Sequence, residues 1–276
     1  MINNCFLFLI IVFFSCEQPA ENQKLLQEKQ TFEQADIYEK IEKEIQLVND
    51  SSFIYENNPY STFDISSYTE NATKDLVNFI NEYNLNPDFI KGLKNNASLE
   101  NTKTYSYGYW SGGTRGFITY SILTIKRGSK FLAANLSENI EARFDSIIKL
   151  NDEFYLLLGG DKADGSAYDN IAYVIRLTDK IDVTYPAFVN RPFLNFSNGT
   201  YKYDNSKSLL IFQGEDYERI DEIFNYKNKY RKYSSDSLSS IELYKMIKGE
   251  RYFDTKSFIL QFNGKNFERF DKNEEE

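Results

Sequence analysis

The chain has 276 residues, is 41% hydrophobic and carries a net charge of −9. That much apolar side chain closes a real core, which excludes global disorder. The acidic balance repels phosphate backbones, which excludes nucleic acid as the main partner. There is no His, and the two cysteines are Cys5 and Cys16, so everything after Cys16 lacks both imidazole and thiol. His-dependent triads, Cys nucleophiles, thiolate zinc sites and Cys-x-x-Cys redox chemistry are thereby removed.

The chain opens on an unbroken apolar run at residues 6–14, FLFLIIVFF, followed by Ser15 and Cys16. As a helix those nine residues rise about 14 Å, less than half of a ~30 Å hydrocarbon core, which fits the apolar region of a signal peptide better than a membrane span. The segment Phe13-Phe14-Ser15-Cys16 resembles the lipobox of bacterial lipoproteins, with a small residue directly before the cysteine. Phe13 and Phe14 stand where that family usually carries Leu and a small residue. The resemblance implies cleavage before Cys16, acylation of its sulfur and anchoring by two or more acyl chains, each buried CH₂ adding ~0.8 kcal/mol. The expected organisation is a signal peptide at 1–15, a lipid-anchored polar tether and helix at 16–50, and a globular domain at 51–276.

Within the tether, Ile37, Ile41, Ile45 and Val48 recur at the helical period, so the spacing predicts a helix laid on the domain. Leu76, Phe79, Ile80 and Tyr83 give a second helix one apolar face. Asn86-Pro87 opens a short turn that stops near Gly92. From about Thr102 the pattern changes to strands, with Tyr105, Tyr107 and Tyr109 alternating and 117–125 rich in β-formers. Arg127-Gly128 predicts the turn into 131–136, and Asn151-Asp152 a tight hairpin between 144–150 and 154–158. Strands are expected to continue over 171–177 and 181–188. The stretches 155–158 and 172–175 are apolar on both faces, which predicts the centre of a sheet. In the last third, FQGEDYERID (212–221) and FNGKNFERFD (262–271) share Phe, Gly, Glu, Arg and Asp. That match predicts duplicated hairpins at 200–221 and 250–271, with Asn263-Gly264 as a tight turn. The predicted fold is α+β: a mostly antiparallel sheet of hairpins, closed as a meander, sandwich or propeller, with N-terminal helices packed on it.

Two segments offer candidate sites. Residues 110–116, Trp-Ser-Gly-Gly-Thr-Arg-Gly, hold the single Trp and the densest glycine cluster. Backbone N–H groups and Arg115 would suit an anion there, with Trp110 and Tyr105, Tyr107 or Tyr109 as a stacking face. The spacing is neither a P-loop nor a dinucleotide fingerprint. The segment is similar to aromatic-plus-Gly-Gly-Thr stretches of uncharacterised secreted bacterial proteins, a likeness of a few residues that implies no activity. Asp161, Asp164 and Asp169 could ligate calcium, but their spacing is not that of an EF-hand, and no metal is the preferred expectation.

The expected protein is an extracytoplasmic, lipid-anchored binding or accessory protein of the cell envelope, facing the periplasm or the cell surface. It is expected to be non-catalytic and without a cofactor. Its partners are the membrane, through the lipid, and an envelope protein or glycan. The alternatives are a carboxylate-dependent hydrolase of envelope polysaccharide and a purely structural envelope protein.

Overall fold

A computed structural model describes residues 20–51, 64–111, 116–162, 168–197, 199–214 and 257–270. Helix α1 runs over Ala20–Asn49 and α2 over Ile65–Tyr83. Asp64 starts α2 by accepting the Ser67 N–H at 3.2 Å, and Asn84 ends it in the left-handed region at φ 55°. Both are the residue types that satisfy orphan helix-end groups at least cost. The stripe of Leu76 and Ile80 is buried, as are Ile41, Ile45 and Val48 of α1. A single 3₁₀ turn, Pro87–Phe89, follows under the Asn86 cap. Among the described residues, no helix is long and apolar enough to cross a membrane.

Among the described residues thirteen strands form three antiparallel sheets, each filled by a consecutive stretch of strands. The first holds β1 (Lys94–Leu99), β2 (Thr102–Trp110), β3 (Phe117–Arg127) and β4 (Lys130–Asn135) in that order. The second holds β5 (Arg143–Lys149), β6 (Phe154–Lys162), β7 (Tyr168–Leu177) and β8 (Ile181–Asp182), with β9 (Phe193–Ser197) also paired to β7. The third holds β10 (Gly199–Asp204), β11 (Leu209–Gly214), β12 (Ser257–Phe262) and β13 (Phe267–Arg269). Arg127 pairs with Lys130, so Gly128-Ser129 is a two-residue hairpin loop, with the glycine at φ 60° in its first position.

The expected strand over 181–188 is instead the two-residue β8. Asp182 turns the chain by accepting both the N–H and the hydroxyl of Thr184 at 2.9 Å, and Pro186 has no N–H to give a ladder. Val189 and Asn190 then adopt positive φ, and β9 takes over the remaining edge of β7. Strand β1, which is polar (KNNASL), carries no alternation in the sequence and forms the outer edge of the first sheet.

The elements stack as four layers: helices, first sheet, second sheet, third sheet. On β2 the tyrosines at 105, 107 and 109 face the helices, beside Tyr120 and Ile122 of β3. Leu123 and Ile125 of β3 face the other way, onto Tyr155, Leu157, Tyr173 and Ile175 of the second sheet. The opposite side of the second sheet, with Leu156 and Val174, packs on Leu210, Phe212 and Leu260 of the third. β6 and β7 are therefore buried on both faces, as their continuous apolar runs require.

Candidate functional site

The three sequence-singled tyrosines and Trp110 lie on one strand and part company across it. Side chains alternate along a strand, so Tyr105, Tyr107 and Tyr109 share one side of β2 and Trp110 the other. The tyrosines are 2–4% exposed and belong to the helix-packed core. Tyr107 and Thr73 hydroxyls meet at 2.6 Å, and Tyr105 donates to Asp88 at 2.6 Å. Burial, first of all, pushes both phenols above the ordinary tyrosine range. Trp110 is 46% exposed. Arg115 and Asp164 lie outside the described residues, as does Cys16.

Trp110 does not stand alone. Its Cα partner across the hairpin is Phe117, 44% exposed. A third ring, Tyr168, is also 44% exposed at the start of β7, and its Cα partner is Lys162 of β6. Lys162 links the two sheets here: its Cδ would lie 3.7 Å from a Cβ placed on Gly116, the residue before Phe117. Three of the five well-exposed large apolar side chains among the described residues thus lie at one end of the stack. Trp110 and Phe117 are on the side of the first sheet that faces the second, and Tyr168 is on the side of the second sheet that faces the third.

Each ring rests on a glycine. A Cβ on Gly116 would sit 3.3 Å from two carbons of the Trp110 ring; one on Gly108 would sit 2.9 Å from Phe117; one on Gly160 would sit 2.6 Å from Tyr168. At Gly108 and Gly160 a side chain would first meet a backbone carbonyl of the neighbouring strand, that of Ile118 and that of Asp169 respectively, and then the ring. At Gly116, where φ is +76°, a larger residue would also strain the backbone. The rings are therefore seated by the backbone beneath them. Ser111 and Gly116 are tied together as well, since Ser111 donates from both N and Oγ to the Gly116 carbonyl at 2.7 Å.

Charged groups flank Tyr168. Arg143 and Asp145 make a two-pronged pair, Nε to Oδ1 at 2.8 Å and Nη2 to Oδ2 at 3.0 Å. That hydrogen bonding raises the Arg143 pKa further, with Asp161 and Tyr168 adding to it. Burial raises the Tyr168 phenol, and the Arg143 charge partly offsets this. Tyr201 donates to the Gly159 carbonyl at 2.9 Å, just behind the Tyr168 seat.

Asp161 and Asp169 are direct Cα partners on β6 and β7, and Asp161 accepts the N–H of Lys162 at 2.8 Å. Among the described residues no group of three or more Asp, Glu, His or Cys could hold a metal ion. In the third sheet, Gly264 sits in the turn between β12 and β13 at φ 98°, and Gly214 is the last residue of β11, opposite Gly199. Residues 215–256, which hold Glu218 and Asp221 of the first expected hairpin, lie outside the described residues. A separate cleft of about 360 Å³ opens where Lys149 and Leu150 meet Leu99, Tyr203 and Asn205. Its cation, Lys149, is paired with Asp152 at 3.1 Å.

Sequence reasoning missed Phe117, Tyr168 and the role of Gly108 and Gly160. A usable signal was present: Gly108 stands two residues before Trp110, and Gly116 directly before Phe117. What the residues define is a layered, β-rich α+β protein with a seated aromatic end. No family model matches the chain, and neither a curated protein nor a solved structure matches it.

Proposed function

We propose that this chain is an extracytoplasmic, lipid-anchored, non-catalytic binding protein of the cell envelope, and that its aromatic end is the contact surface. The observation that carries this reading is the cluster of Trp110, Phe117 and Tyr168, each held half in solvent on a glycine. Exposed aromatics are costly in water, and several of them at one end of a fold favour a recognition surface. Rings supply contact area while losing little side-chain entropy on binding. Asp161 and Asp169 stand on neighbouring strands rather than facing each other across a cleft, which favours binding over carboxylate hydrolysis. The lipobox-like Phe13-Phe14-Ser15-Cys16 supports the anchor.

The test of the anchor is Cys16→Ala, since the sulfur is the acyl attachment point. The variant should appear in the soluble fraction or as an uncut precursor. Normal processing with unchanged membrane fractionation would remove the lipid from the reading.

A further inference from the structure

The direction of α1 can be traced against the sheet. Gln34 donates to the carbonyl of Tyr83, the last residue of α2, at 3.0 Å. The next residue, Asn84, bonds the Ser129 carbonyl and the Phe131 N–H, so this level is the β3–β4 turn. Further along α1, Tyr38 meets Asn86, and Glu42 accepts the Lys91 N–H. Asn49 accepts the Gly108 N–H at 3.3 Å, two residues short of Trp110. Helix α1 therefore runs from the β3–β4 turn toward the aromatic end. N-terminal to Gln34 it continues to Ala20 past the opposite end of the sheet. At 1.5 Å per residue that extension is about 21 Å, and the whole helix about 45 Å.

We infer that α1 is a spacer holding the aromatic end away from the anchoring membrane, and that this end takes an uncharged polysaccharide strand lying beyond it. The inference rests on the reading of Cys16 as the lipid anchor. Cys16 is four residues before Ala20, so the anchor attaches at the far end of α1 from Trp110. Rings meant for the lipid interface would sit beside the anchor, not a helix length from it. A pyranose ring offers a patch of C–H groups that stacks on an aromatic face, and hydroxyls that hydrogen-bond at its rim. Trp110 and Phe117 supply one pair of faces, and Tyr168, on the far side of the second sheet, a separate one that a long strand crossing this end would also meet. The Arg143–Asp145 pair and Asp161 supply directional partners near Tyr168. The net charge of −9 disfavours phosphate-bearing and uronate polymers.

The test uses the full chain, extracted in mild detergent and run in native gels cast with single neutral polysaccharides (a glucan, a xylan, a mannan, a galactan) or with polygalacturonate. At least one neutral polymer should retard the chain. Trp110→Ala and Tyr168→Ala, whose rings are exposed and whose melting temperatures should stay close to the parent's, should each weaken that retardation tenfold or more. Phe117→Ala should weaken it less. The ligand class is overturned if no neutral polymer retards the chain, if both variants are retarded as strongly as the parent, or if polygalacturonate is the stronger ligand. On cells, deleting residues 22–28 shortens α1 by about 10 Å with little change of facing. Capture of the labelled polymer by the native envelope layer should fall while gel retardation stays the same. Equal capture would overturn the spacer. An unchanged membrane fraction for Cys16→Ala would bring down the anchor alone and leave the gel result standing.

Discussion

The two sides of the second sheet are built from different chemistry. Toward the third sheet its contacts are mostly aliphatic and aromatic, with the Phe188 and Phe267 rings stacked 5.0 Å apart, Phe154 edge-on to Tyr185 at 4.8 Å, and the Tyr201 hydroxyl on the Gly159 carbonyl as a polar link. Toward the first sheet, hydroxyls enter. Thr104 donates to the Phe144 carbonyl at 2.9 Å and Ser121 to the Ala142 carbonyl at 2.5 Å. Tyr173 donates to the Val183 carbonyl at 2.6 Å. Ala142 and Phe144 flank the start of β5, the outer strand of its sheet, where backbone carbonyls would otherwise be buried without a donor. A bulge follows between Phe144 and Ser146 and turns Asp145 out to meet Arg143. The apolar side supplies burial energy without direction. The hydroxyl side fixes where β5 begins, and with it the position of the Arg143–Asp145 pair at the aromatic end.

The largest expected effect tests the apolar side. Phe212 is 1% exposed and packed between the second and third sheets. Phe212→Ala should cost about 3–5 kcal/mol in urea unfolding, from lost burial and the cavity left behind. The hydroxyl side should respond less. Ser121→Ala or Thr104→Val should each cost about 1–3 kcal/mol by leaving a buried carbonyl unpaired. The two changes should be non-additive in a double-mutant cycle, because they hold the same segment. A loss within the noise of surface substitutions would mean that the hydroxyls do not set β5.

The smallest effect lies at the helix layer. Burial by itself would raise the Asp88 carboxyl, but hydrogen bonds from Lys103 and Tyr105, both at 2.6 Å, outweigh it and hold the carboxyl below the ordinary Asp value. A carboxyl depressed in the folded state adds stability above its unfolded pKa and loses it as pH falls through the folded value. Asp88 is 40% exposed, so solvent screens most of the gain. Asp88→Asn should therefore lower the melting temperature slightly at pH 7 and by less and less toward pH 2, which flattens the acid limb, as followed by melting temperature from pH 2 to 7.

Turns and helix faces were legible in the sequence because their chemistry is local. Gly128, Asn151 and Gly264 mark the loops the structure uses, and the Leu76–Ile80 stripe is the buried face of α2. Strand β1 and the break after Asp182 were not legible. One depends on an edge pairing made far along the chain, the other on a side chain capping its own backbone. The aromatic end was half legible. Trp110 was singled out, but Tyr168 reads like any strand tyrosine until Gly160 is placed beneath it from the neighbouring strand. The tyrosines of β2 illustrate the same limit. Alternation puts them on one face, but only the helices packed over that face make it the core.

The layers also follow the order of the chain, and that bears on how it folds. The first two sheets close almost entirely through neighbouring hairpins, so their contacts are local and each can form soon after its residues emerge. The third sheet instead pairs β11 with β12 across the intervening residues 215–256, a longer separation along the chain to close. A chain threaded through a membrane from its N-terminus would complete the helix layer and the first sheet, then cover that sheet with the second. Until β12 and β13 arrive, the outer face of the second sheet, with Leu156, Leu158 and Val174, stays open to water. That face stays uncovered until β12 and β13, the later strands of the third sheet, pair beside β11 and close it.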